Sequence, residues 1–224
     1  MVEVQEAKPP GGAGAAPRIG VVTGLTAEAR IATPLGLVAA GGGTPIGAAT
    51  AAERLVAQGV KALVSFGLAG GLDPALRPGD IVVPADVLDG DCRHRCDPAL
   101  AARFGDVGGT LLAEASVVVE AAAKVALFAR TGAGSVDLES GAVARVAARH
   151  GLAFAVLRAI CDPAGRTLPP AALVALTASG RIGMVRVLAS VARQPSQIPT
   201  LLALGRDAAA ARRALLRRVA QAAG

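Results

Sequence analysis

The chain has 224 residues, 53% of them hydrophobic, with no Trp or Tyr and four Phe. That length and apolar content suit one domain with a full core built from Ala, Val, Leu and Ile. The net charge of +6 is confined to the C-terminus: residues 181–224 carry eight Arg against one Asp, so the first 180 residues sum to −1. With no spread basic face and few aromatic platforms, nucleic-acid binding is not expected. Three cysteines make no disulfide framework and fit a reducing, cytoplasmic setting. The N-terminus lacks the basic start and apolar stretch of a signal peptide.

In chain order, residues 1–17 are rich in Gly, Ala and Pro and are expected to be a disordered tail. Arg18–Thr23 reads as a buried strand. Thr26–Ile31 follows as a short helix capped by Thr26, with Glu28 in its first turn. Leu35–Ala40 is a second strand, ended by Gly41-Gly42-Gly43. Thr44-Pro45 then signals a helix to about Gln58. Ala62–Phe66 is a strand leading into GLAGGLDPALRPGD, and Ile81–Val83 is another. Asp97-Pro98 opens a helix through Phe104. Thr110–Ala113 reads as a strand and Glu120–Ala129 as a helix. The unit Ser135–Leu138, Ser140–His150, Phe154–Cys161 is strand, helix, strand, and the chain is mostly helical from Leu168. Strands alternating with helices predict a three-layer αβα sandwich with a mixed, mostly parallel central sheet. The expected divisions are the tail 1–17, a catalytic domain 18–180 and a basic helical extension 181–224.

Open α/β sheets bind ligands at the carboxyl ends of their strands. Glu139 and Asp162 fall at two such ends, and alternation along the last strand puts Arg158, Ile160 and Asp162 on one side. A buried Arg–Asp pair there could equally be structural. Gly67–Gly71 would let backbone N–H groups approach an anion or a sugar, or simply make a tight turn. Cys92-Arg93-His94-Arg95-Cys96 offers at most a cramped three ligands beside two cations, so it reads as a polar loop over the pocket rather than a metal site. His150 reads as a structural helix end.

Four segments in order, GVVTGLTAE, FGLAGGLDPALRPGDIVV, VDLESGAVA and VLRAICD, resemble the purine-type nucleoside phosphorylase/nucleosidase superfamily over Arg18–Leu173. More narrowly, GLTAEAR, GLAGGL and ICDPAGRTLPP resemble the hopanoid-associated phosphorylases. The resemblance implies cleavage of an adenosyl N-glycosidic bond with release of adenine. It implies phosphorolysis of adenosylhopane, with hydrolysis of methylthioadenosine or adenosylhomocysteine as the alternative and a non-catalytic nucleoside-binding protein as the second.

By the same resemblance, Asp162 protonates the purine N7, Glu139 holds the ribose hydroxyls and Leu138 lies under ribose and base. Glu28 activates water, with Arg158 close to the nucleophile. Gly42, Gly43 and Arg30 lie on the phosphate side, and Gly70 and Gly71 line the substrate. Leu68 stands where nucleosidases carry Ser, and the base-stacking aromatic is replaced near Ser116 or moved to Phe154. No cofactor and no metal is expected, with inorganic phosphate as co-substrate. The expected substrate is a small adenosyl compound, lipid-linked in the narrower reading. The chain is expected to form a homo-oligomer. Leu204, Ala208, Leu215 and Val219 share one side of a basic C-terminal helix, which would either touch a membrane surface or pack on protein.

Overall fold

The computed structural model describes residues 18–173 and 194–224. It is a mixed α/β fold around a central, mostly parallel nine-stranded sheet. The parallel core joins β1 (Ile19–Thr23), β2 (Leu37–Ala40), β3 (Ala62–Gly71) and β9 (Ala153–Asp162). These strands are short apolar runs, and β1 is buried throughout, as expected for strands covered on both faces. The sheet continues through β8 (Ser135–Asp137), β7 (Thr110–Ala113) and β5 (Asp86–Asp89) to β6 (Cys92–Arg95), while β4 (Ile81–Val82) pairs with β9.

The helices are α1 (Thr26–Ala32), α2 (Pro45–Ala57), α3 (Pro98–Ala102), α4 (Ala121–Thr131), α5 (Ser140–Arg149), α6 (Pro170–Leu173) and α7 (Ile198–Ala223). Thr44 caps α2 by accepting from Gly47 N at 3.1 Å, and Asp97 caps α3 by accepting from Leu100 N at 2.8 Å. At α1 the cap is Leu25 rather than Thr26. The Glu28 carboxylate reaches back to accept from Leu25 N at 2.8 Å. Helices α2 and α5 pack on each other, α2 over β1 and β2 and α5 over β3, while α7 packs on β9 and α1.

One sequence expectation changes here. The Cys92–Cys96 segment is not a pocket loop: its first four residues form edge strand β6, antiparallel to β5. An edge strand tolerates Arg93 and Arg95 because one of its sides faces water. His150 ends α5 and contacts Glu53 at 2.8 Å. The apolar side of α7 is also in use: Ala211, Ala214, Leu215 and Val219 are buried, whereas Leu202 and Leu216 are exposed. From Ala211 onward that side therefore packs on the body of the protein. Among the described residues no helix is long and apolar enough to cross a membrane.

Candidate functional site

The site arises from a break along one edge of β3. Parallel β1 pairs with β3 from Ala62 to Phe66 and stops at Thr23. Antiparallel β8 pairs with Gly70 and Gly71 of the same strand and ends at Asp137. The two strand ends thus approach head to head, and the backbone of Gly67 to Ala69 is left without a strand partner on that side. A buried N–H must find an acceptor. Leu68 N donates to Glu28 Oε1 at 3.1 Å.

Glu139, which begins α5 just after β8, enters the same gap. A Cβ on Gly24 would lie 2.5 Å from Glu139 Oε1 and 3.5 Å from Glu28 Oε2. Only glycine therefore lets β1 end this close to both acids.

Arg158 fills the centre and is 1% exposed. Its Nη2 donates to Glu139 Oε2 at 3.0 Å, Ser65 Oγ at 2.7 Å and Ser140 Oγ at 3.3 Å, and its Nη1 to Leu68 O at 3.3 Å. It also forms an ion pair with Asp137. Asp137 accepts from Ser140 N at 3.1 Å, which fixes the start of α5 against the cluster. At Gly67 the backbone adopts φ +151°, and a Cβ there would lie 2.7 Å from Arg158 Nη1 and 2.9 Å from the Glu28 carboxyl carbon.

The electrostatics follow from burial. Desolvation pushes Glu28 above the usual carboxylate range, against the pull of Arg158, the Leu25 and Leu68 N–H groups and Arg212 of α7. Glu139 is pushed up to about 7 by burial; Arg158 opposes this, while Asp137 and Glu28 add to it. Burial alone would lower Arg158, yet Asp137, Glu139 and Glu28 hold it above its ordinary value. The cluster thus holds two carboxylates paired with one guanidinium, and a third, Glu28, within its electrostatic reach.

Asp162 belongs to a second group. In β9, Ile160 faces Ala69 but Asp162 faces Gly70, so Cys161 is an extra residue at a bulge. Ile160 then lies against Gly71 and the Asp162 carboxylate against Gly70. The expected sharing of one side by Arg158, Ile160 and Asp162 therefore fails at the bulge. Asp162 forms an ion pair with Lys124 of α4. Burial raises its pKa while Lys124 pulls it down. The two groups are separated along β3 by the step from Gly67 to Gly70, roughly 10 Å of strand.

The remaining expected residues divide. Gly42 and Gly43 lie in the turn after β2, and Gly41 N donates to Thr23 O at 2.8 Å, so the turn borders the end of β1. Leu138 is half-buried between Asp137 and Glu139. Arg30 is exposed; two residues on from Glu28 it lies about 200° around the helix, so it faces away and cannot offset that acid. Phe154 is the second residue of β9, eight residues before Asp162, roughly 26 Å along the strand. It is a core residue and cannot stack on a base held at Asp162. Ser116 is exposed beyond β7 and offers no aromatic surface.

Lys124, Asp137 and Arg212 were not expected from the sequence. Lys124 could have been found from spacing, since Ala121, Lys124, Leu127, Phe128 and Thr131 form the inward stripe of α4. Asp137 could have been found as the acid ending the strand before Glu139.

A parallel-sheet end carrying buried carboxylates and an arginine around glycine turns defines an α/β protein with a candidate site for a polar ligand. Consistent with this, the Phosphorylase superfamily family model matches residues 23–191, and the chain belongs to that family. The match is at the level of the superfamily and does not single out its hopanoid-associated members. No curated protein matches the chain. Among solved structures, it is similar to an S-adenosylhomocysteine nucleosidase from Streptococcus pyogenes in complex with 5-methylthiotubericidin, at 20% identity and TM-score 0.62, covering 68% of this chain and 86% of that one. A 5'-methylthioadenosine/S-adenosylhomocysteine nucleosidase from Colwellia psychrerythraea in complex with adenine gives 17% identity and TM-score 0.62, covering 79% and 94%. A futalosine hydrolase mutant from Helicobacter pylori gives 18% identity and TM-score 0.58, covering 65% and 89%.

Proposed function

We propose that the protein hydrolyses the N-glycosidic bond of an adenosyl compound and releases adenine. The observation that carries hydrolysis over phosphorolysis is the charge around the nucleophile position: Glu28, Asp137 and Glu139 surround Arg158, and this guanidinium is already engaged by carboxylates. A phosphate dianion would meet net repulsion there, whereas water meets a base. The superfamily membership and the nucleosidases among similar structures support the choice of bond.

In this reading Glu28 takes a proton from water, and burial brings its basicity toward neutrality, where a general base works best. The water oxygen bonds to C1' as the bond from C1' to N9 breaks, and that electron pair passes to the purine. Asp162 supplies a proton to N7. Glu139 accepts from the ribose hydroxyls through Oε1, while its other oxygen is held by Arg158. The glycines at 67, 70 and 71 leave the end of β3 with only the side chains of Leu68 and Ala69 between base and acid.

The test is adenine release from 5'-methylthioadenosine and S-adenosylhomocysteine, with and without phosphate. Equal release in both conditions, with at least a hundredfold loss of kcat in Asp162→Asn, is the expected result. Release that requires phosphate would replace hydrolysis by phosphorolysis. Undiminished release by the Asn variant would remove Asp162 from the mechanism.

A further inference from the structure

One fully buried cation stands behind Asp162. Lys124 is 0% exposed at the centre of the inward stripe of α4. An ammonium can be held in such a place only if its protons are engaged. Here Nζ donates to Asp162 Oδ2, to Pro163 O at 3.3 Å and to Arg166 O at 2.8 Å, which uses all three. The lysine thereby ties the end of β9 and the turn after it to α4. It also leaves the other carboxylate oxygen, Asp162 Oδ1, buried and without a hydrogen-bond partner among the described residues. A carboxyl group with one oxygen fixed and the other bare is set to meet a ligand.

We propose that Lys124 is a positioning residue that holds Asp162 with Oδ1 free for the purine and sets the acidity at which Asp162 gives up its proton. This rests on Asp162 being the proton donor of the proposed reaction. When Asp162 passes its proton to N7, a carboxylate appears in a buried place beside Lys124. The attraction between them grows as the bond from C1' to N9 breaks, so it favours the transition state over the ground state. The other charged groups near Asp162 are Arg166 in the following turn and Asp207 on α7. These two form an ion pair with each other, so their effects on Asp162 oppose. The neighbouring Cys161 thiol is pushed up to about 12 and stays neutral. Glu120, at the start of α4, accepts from Thr167 Oγ1 at 3.1 Å.

The experiment follows kcat and KM for adenine release against pH in the wild type, Lys124→Met, Lys124→Gln and Lys124→Arg, with thermal transitions recorded for each. The Met and Gln variants are expected to lose kcat about tenfold or more with a smaller change in KM. Their alkaline limb of kcat should move about one pH unit higher, because the buried acid has lost the cation that strengthened it. The Arg variant, which keeps the charge, should retain the wild-type limb. An unmoved limb in a folded Met or Gln variant would overturn the proposal. So would a limb displaced equally in the Arg variant. If Met and Gln fail to fold, the Arg variant alone decides, through retention or loss of the wild-type limb. A wild-type protein that releases no adenine from any nucleoside would overturn the proposed function and this inference with it. An active wild type with unmoved limbs overturns the inference alone.

Discussion

Replacing Arg158 by Met tests the central cluster most directly. Met keeps the unbranched stem and similar bulk, so the cavity it leaves is small and the electrostatic loss dominates. The variant removes the partner of Asp137 and Glu139 and the donors to Ser65, Ser140 and Leu68 O. Breaking a buried ion pair from one side costs about 3–5 kcal/mol. Asp137, Glu139 and Glu28 would then face one another without compensation. The folded-state pKa values of Glu139 and Glu28, already raised, rise further above the unfolded ones, so the folded variant binds more protons than the unfolded chain. Stability held below the unfolded carboxylate range is therefore lost as pH rises through the folded values. Urea denaturation at pH 7.5 should show the full deficit relative to wild type, and the deficit should shrink at pH 5. A deficit below about 1 kcal/mol at pH 7.5, or one that stays constant on acidification, would refute the account of Arg158 as the charge that holds three buried acids together.

The wild type should show a milder form of the same dependence. Burial raises Glu139 from the ordinary carboxylate range to about 7, so its contribution falls as pH rises across that interval, by about 3 kcal/mol in all. Glu139→Gln should flatten the wild-type profile between pH 4.5 and 7, measured by the denaturation midpoint, and an unaltered slope would count against the raised acid. Gly67→Ala should lose activity at least tenfold and stability by about 1–3 kcal/mol, because its Cβ would meet Arg158 and Glu28 at a positive φ. A fully active Ala variant would show that the cluster tolerates displacement.

Much of the architecture is written in local signals. Thr44-Pro45 and Asp97-Pro98 each join a capping side chain to a proline at the first helical position, and both open helices. Asp162, Glu139 and Glu28 are recognisable because each follows a short apolar run. What escapes is long-range. The β5–β6 pair carries Asp, Arg and His at an edge, where composition mimics a loop. The bulge at Cys161 depends on where β9 pairs with Gly70, so strict alternation misplaces Asp162 relative to Arg158. Lys124 lies 38 residues from its carboxylate, and nothing within α4 announces that partner. Arg30 and Phe154 fail for simple geometric reasons, the turn of a helix and the length of a strand.

The vacancy between the ends of β1 and β8 is a missing rung in the sheet, and the side chain proposed as the general base occupies it. Glu28 does for Leu68 what a neighbouring backbone carbonyl does elsewhere. In the proposed mechanism chemistry and scaffold therefore share one atom pair. A substitution that silences the acid also unfastens the sheet, and turnover assays on such variants become interpretable only alongside a folding measurement.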